Sequence, residues 1–164
     1  MHETAEDLQA LQAVIDRSYA GAGEHLLRIH TPERRLTAEQ VSERLQGMSL
    51  LSLATVSASG RPVVGPVDGI FFRGAFHFGS SPDSVRFRHI AVRPWVSATH
   101  LPGEELAVTV HGRAELVDVS SGPFRQAVLD IYTPRYGDDW GERFLDSGSL
   151  YARIEAERMF TFSM

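Results

Sequence analysis

The chain contains no cysteine. Disulfides and thiolate chemistry are therefore excluded, and any redox chemistry has to be carried by a bound cofactor. A long hydrophobic run is missing too: no stretch approaches the roughly 20 apolar residues that span a bilayer. Nor is there an excess of positive charge. The formal net charge is -5, which argues against a broad nucleic-acid footprint and leaves room only for a local basic cluster. The opening residues Met1-His2-Glu3-Thr4-Ala5-Glu6-Asp7 are acidic where a secretory leader is basic, so a cytoplasmic protein is expected. No internal repeat or low-complexity segment interrupts the 164 residues, whose composition is that of one ordinary globular domain.

What is present has two periods. Leu8, Leu11, Ile15 and Tyr19 fall at helical spacing, with Thr4 as a cap ahead of Glu6 and Asp7, and Gly21-Ala22-Gly23 stops that helix. A polar connector with Pro32 and Arg34-Arg35 follows, then a short helix from a cap at Thr37 to Leu45, ended by Gly47. From Met48 the period changes. Met48–Val56 is a near-continuous apolar run and reads as a buried strand; residues 61–72 and 75–79 continue a meander through turns at Ser57-Ala58-Ser59-Gly60 and Arg73-Gly74. Pro62 and Pro66 each lack a backbone donor, so this strand is expected at an edge, a bulge, or facing something other than a neighbouring strand. Asp68-Gly69 suggests a bulge.

Ser81-Pro82-Asp83-Ser84 is read as a helix start, with Ser81 at the cap and Pro82 at the first helical position, and the helix ends near Val92 because Pro94 restricts Arg93. Strands are expected over residues 95–100 and 105–119, separated by a Pro102-Gly103 turn. A helix over residues 124–132, a loop over 134–146 with a short helix near Trp140, and a last strand over 150–162 complete the chain. Strands joined by tight turns, with few helices, favour a small antiparallel barrel.

Chemistry concentrates in residues 77–94, HFGSSPDSVRFRHIAVRP. Hydroxyls at Ser80, Ser81 and Ser84 surround a helix start that carries Arg86 and Arg88 in its first turns, and Gly79 is small. A helix N-terminus offers free N–H groups and a positive partial charge, and Arg matches phosphate oxygens with two parallel donors. Taken alone, the segment is as well explained by a capped helix with solvated arginines, and Asp83 opposes an anion there. The seven histidines form no pair at metal-ligand spacing, so no metal is expected. Ser57 and Ser59 have no His/Asp partners that would make a hydrolase. Trp140 is a candidate pocket cover as much as a packing residue.

Two words carry a resemblance. Residues 53–67, LATVSASGRPVVGPV, and residues 78–97, FGSSPDSVRFRHIAVRPWVS, resemble in content and order the pyridoxamine 5'-phosphate oxidase-like, FMN-binding split-barrel family with its flavin/deazaflavin oxidoreductase branch. The resemblance covers about residues 48–119. It implies a split β-barrel of about six antiparallel strands with flanking helices: residues 48–164 as the cofactor-binding domain and residues 1–47 as a helical segment packed on it, one domain overall.

It further implies that Val63, Val64, Gly65, Pro66 and Val67 line the isoalloxazine ring. Counting back from Pro94, Ser84 and Arg86 match the phosphate-binding serine and basic residue, Ser80 the strand-end hydroxyl, and Arg88 a basic position of the deazaflavin branch; Gly79 and Ser81 complete the expected site. FMN is the expected cofactor, with the deazaflavin coenzyme F-420 as the alternative. A homodimer with the cofactor at the interface, and an oxidoreductase acting on a small molecule, are implied. A non-catalytic flavin- or haem-binding module is the other reading. No catalytic side chain is named, because the cofactor ring carries the hydride chemistry. Gly65 stands where vitamin B6 oxidases have arginine, and the ending RIEAERMFTFSM lacks their pyridoxal-phosphate word. The expected substrate is therefore something other than pyridoxamine phosphate.

Overall fold

The computed structural model describes residues 2–164. Six strands, β1 (Met48–Val56), β2 (Pro62–Phe72), β3 (Ala75–Ser80), β4 (Trp95–Gly103), β5 (Leu106–Val117) and β6 (Leu150–Ser163), close a barrel in the order β1-β2-β3-β6-β5-β4, with every pairing antiparallel. This is the expected split barrel with flanking helices. Alternation along β1 sends Ser49, Leu51, Leu53 and Thr55 inward, and these meet Phe76, Phe78, Val108, Val110 and Ile154 in the interior.

The N-terminal helices lie on this frame. α1 (Ala5–Ala20) is capped by Thr4, whose Oγ1 accepts from the Asp7 N–H while the Asp7 carboxylate accepts from the Thr4 N–H. Leu11, Ile15 and Tyr19 make its buried stripe against β6. A further helix, α2 (Glu24–Ile29), occupies what the sequence predicted as connector. It has no side-chain cap and no fully buried residue, so only the packing of Leu27 against the core marks it. α3 (Ala38–Arg44) follows Thr37, which forms the same reciprocal cap with Gln40.

Four local expectations change. α4 (Val85–Val92) is capped by Ser84, not Ser81; Ser81 instead donates its hydroxyl to Asp83 in the preceding turn. Asp68 and Gly69 pair in regular register with Leu50 and Ser49, without a bulge. Gly69 is needed for space: a Cβ there would lie 2.5 Å from the Leu51 side chain. β4 runs through Pro102 to Gly103, a register shift after His100 absorbing the missing donor. α5 (Gly122–Tyr136) extends a turn beyond its predicted end and includes Pro134, then leads into a π-helical turn, Gly141–Leu145. α5 packs on the outside of the barrel, where Phe124, Val128 and Tyr132 cover Ile70, Phe72 and Tyr151. Among the described residues no helix is long and apolar enough to cross a membrane.

Candidate flavin site

β2 explains its own prolines. Over residues 62–68 it pairs only with β1, and β3 joins from Gly69 onward. The free edge is the one on which Pro66 presents its carbonyl, because that oxygen accepts from Arg86 Nη2 at 2.9 Å. A residue's N–H and C=O point to the same side of a strand. The donor that Pro66 lacks is therefore missing from the unpaired edge, where no ladder partner waits for it.

Arg86 reaches this edge from α4, whose Phe87 and Ile90 anchor the helix in the core. The guanidinium is half-buried, makes one hydrogen bond, and has no carboxylate partner among the described residues. Burial alone pulls its pKa down. A half-buried guanidinium with spare forked donors has the geometry to hold an anion. The chain has no lysine: all 16 of its Lys/Arg positions are arginine.

Arg86 lines a cavity of about 360 Å³, together with Pro66, Val67, Asp68 and Gly79. The other wall is aromatic: Tyr132, Tyr136, Trp140 and Phe144, with Tyr151 on the barrel side. Tyr132 and Trp140 stack at 4.8 Å and 24°, and Trp140 and Phe144 at 5.1 Å and 26°. Gly79 makes this wall possible, since a Cβ there would stand 2.5 Å from the Tyr151 ring.

The residues singled out by sequence divide in two. Pro66, Val67, Gly79 and Arg86 face the cavity. Val63 and Val64 are exposed further along β2, and Gly65 sits with its Cβ position 3.8 Å from the Arg86 guanidinium. Ser80 is half-buried at the end of β3, and Ser81 is turned to Asp83. The Ser84 Oγ accepts from the Phe87 N–H at 3.4 Å, which leaves its O–H to donate. Arg88 is exposed on α4. Sequence reasoning did not reach Tyr132, Tyr136, Phe144 and Tyr151. Their only signal is the spacing of four aromatics at 132, 136, 140 and 144, one per helical turn across a segment that Pro134 and Gly137 mark as a break.

The fold is a six-stranded split barrel with a half-buried arginine, free of any carboxylate partner among the described residues, beside a free strand edge. A family model described as pyridoxamine 5'-phosphate oxidase matches residues 37–161, and the chain belongs to that family. Comparison with curated proteins gives no match. Among solved structures, an F420 reductase is similar with TM-score 0.58 at 17% identity, over 72% of this chain and 94% of that one. A FAD-binding protein from Mesorhizobium loti has TM-score 0.55 at 23% identity, over 78% and 95%. The heme storage protein HutZ from Vibrio cholerae has TM-score 0.57 at 22% identity, over 76% and 93%. These neighbours share the fold, and a fold hosts several activities.

Proposed function

We propose that the chain is a flavin-dependent oxidoreductase, with FMN as cofactor and the deazaflavin F-420 as the alternative. The observation that carries this is Arg86: half-buried, without a carboxylate partner, and hydrogen-bonded to the unpaired edge of β2. In this reading Arg86 holds the cofactor phosphate, with the Ser84 hydroxyl and the nearby Arg88, Ser80 and Ser81 around it. The unpaired edge from Val63 to Val67 offers backbone groups and flat apolar surface to the ring. The flavin supplies hydride transfer when bound; the protein binds it, orients it and covers one side with the Trp140 wall. Residues 48–164 form the cofactor-binding domain, and residues 1–47 are packed on it.

Pyridoxamine phosphate does not suit the site. An arginine at position 65 would start 3.8 Å from the Arg86 guanidinium, so Gly65 both lacks the oxidase side chain and avoids a like charge. The reading includes a homodimer. Leu50, Val64, Trp95 and Leu101 are more than half exposed or close to it, at 57%, 69%, 50% and 62%, on the strands β1, β2 and β4 that adjoin one another. Such surface favours burial against a second copy.

Titration with FMN, followed by quenching of flavin fluorescence, tests the proposal. Saturable binding is expected in the wild type, and Arg86→Ala is expected to raise Kd roughly 10- to 100-fold, the loss of charge-assisted hydrogen bonds to phosphate. Binding untouched by Arg86→Ala would move the phosphate elsewhere. Tight binding of F-420 with indifference to FMN would reassign the cofactor. Turnover of the loaded protein with NAD(P)H separates an enzyme from a carrier. Sedimentation of wild type and Val64→Glu reads the dimer: a two-fold mass that falls to one in the variant is expected.

A further inference from the structure

The cavity that holds Arg86 has a second end of opposite character. Asp68 projects there from β2, and among the described residues no donor and no cation pairs with its carboxylate. No ion pair joins it to Arg86. Instead Asp68 faces two phenols. Tyr132 and Tyr151, only 3% and 4% exposed, have their ionisation pushed up by burial first, and then by the proximity of one another or of Asp68. Both therefore stay protonated beside the carboxylate. Among the described residues neither hydroxyl has a hydrogen-bond partner, and neither is sealed away from the cavity they line.

Three convergent polar groups open to one cavity, with no protein partner among the described residues, are free to bind a ligand there. Packing alone does not call for these hydroxyls, since neither bonds to the protein among the described residues. The neighbouring wall narrows what completes them. Tyr132, Tyr136, Trp140 and Phe144 present near-parallel rings, tilted 20° to 26° between successive members. Aromatic faces attract cations, and Trp does so best. A half-buried carboxylate accepts most strongly from a cationic N–H donor. Together they select a flat group that is positively charged and carries N–H donors at its edge.

We propose that this end of the cavity is a substrate subsite for a planar protonated nitrogen group, of amidinium or aminopyridinium type, which lies against Trp140 and donates to Asp68 while the Tyr132 and Tyr151 hydroxyls take its remaining N–H bonds. The assignment rests on the reading of the Arg86 end as the cofactor site, because it makes the subsite a place for substrate beside a bound flavin. It also separates the two ends by charge: anion at Arg86, cation at Asp68.

Calorimetric titration with benzamidine tests it, with benzamide and benzoate as neutral and anionic controls of the same shape. On FMN-loaded wild type, benzamidine is expected to bind, benzamide at least tenfold more weakly, and benzoate not measurably. Asp68→Asn is expected to weaken benzamidine at least tenfold while leaving the FMN Kd within twofold, and Trp140→Leu to weaken it several-fold. Equal binding of the three probes to the wild type overturns the proposal without reliance on any variant. So does an Asp68→Asn protein that binds benzamidine as before, or competitive displacement of benzamidine by FMN, which would give the whole cavity to the cofactor. The same titration on cofactor-free protein keeps the two readings apart: Asp68-dependent benzamidine binding in a protein that ignores both FMN and F-420 sinks the cofactor assignment and supports the subsite.

Discussion

The inside of the barrel and the layer between its outer wall and α5 are both apolar, yet they treat their polar groups in opposite ways. Under α1 the buried polar groups around Thr161 answer one another, although the Arg153 Nε on the same strand has no partner among the described residues. The Tyr19 hydroxyl donates to the Thr161 carbonyl at 2.5 Å and accepts from the Thr161 N–H at 3.1 Å; the Thr161 hydroxyl donates to the Leu36 carbonyl; the Ser18 hydroxyl donates to Val14 and accepts from the Met159 N–H. Under α5 aromatics also pack together, but among the described residues the Tyr132 and Tyr151 hydroxyls and the Asp68 carboxylate have no partner. One strand, β6, supplies both kinds of residue: Thr161 near one end and Tyr151 near the other. A protein satisfies its polar groups where it needs stability and leaves them open where a ligand is to complete them.

The largest expected effect is on the satisfied side. Phe76 is fully buried and packs edge-to-face on Phe71 at 5.1 Å, so Phe76→Ala is expected to cost about 3–5 kcal/mol in denaturant unfolding. A cost under ~1 kcal/mol would mean the interior is not the stabilising core.

The next effect lies in the α5 layer and depends on pH. His77 is 4% exposed, packed at a 33° tilt on Phe124 at 4.4 Å, and its Nδ1–H donates to the Ala75 carbonyl. Burial pulls its pKa from 6.5 down to about 4. Between those values the unfolded chain binds a proton that the folded one refuses, so stability is full above pH 6.5 and falls as pH drops towards 4. The loss from this one group is expected to be roughly 3 kcal/mol. Urea midpoints measured across that window should show it, and His77→Phe should flatten the slope; an unchanged slope in the variant would assign the loss to the carboxylates.

The smallest effects give the sharpest contrast. Tyr19→Phe strands the Thr161 N–H, while the Thr161 carbonyl keeps His30 Nδ1–H, and is expected to cost about 1–3 kcal/mol. Tyr132→Phe removes a hydroxyl with no protein partner and is expected to change stability by less than ~0.5 kcal/mol. Equal costs in thermal unfolding would erase the distinction between the two layers.

Much of this architecture was legible in the residues. Strand positions followed from the apolar runs at 48–56 and 150–162 and from the Arg73-Gly74 turn, because local pattern and turn chemistry agree there. The caps at Thr4 and Thr37 were readable for the same reason, as each side chain bonds within three residues of itself. The cap of α4 was misread. Ser81 and Ser84 carry the same chemistry, and only the geometry of the chain leaving β3 chooses between them. Arg86 could be singled out by its place in a family word, but not its burial or its hold on the Pro66 carbonyl, which join residues twenty positions apart.

By itself, then, the sequence determined the antiparallel barrel, the irregular pairing of a strand carrying Pro62 and Pro66, and the absence of thiol chemistry. These follow from period, backbone donors and composition, all properties of short segments. Only the tertiary structure decided that Asp68, Tyr132 and Tyr151 meet in one cavity with Arg86, and that their polar groups are left unpaired. Convergence of this kind is fixed by how β2, β6, α4 and α5 pack. No residue's immediate neighbours in the chain encode which distant groups will answer it, or that none will.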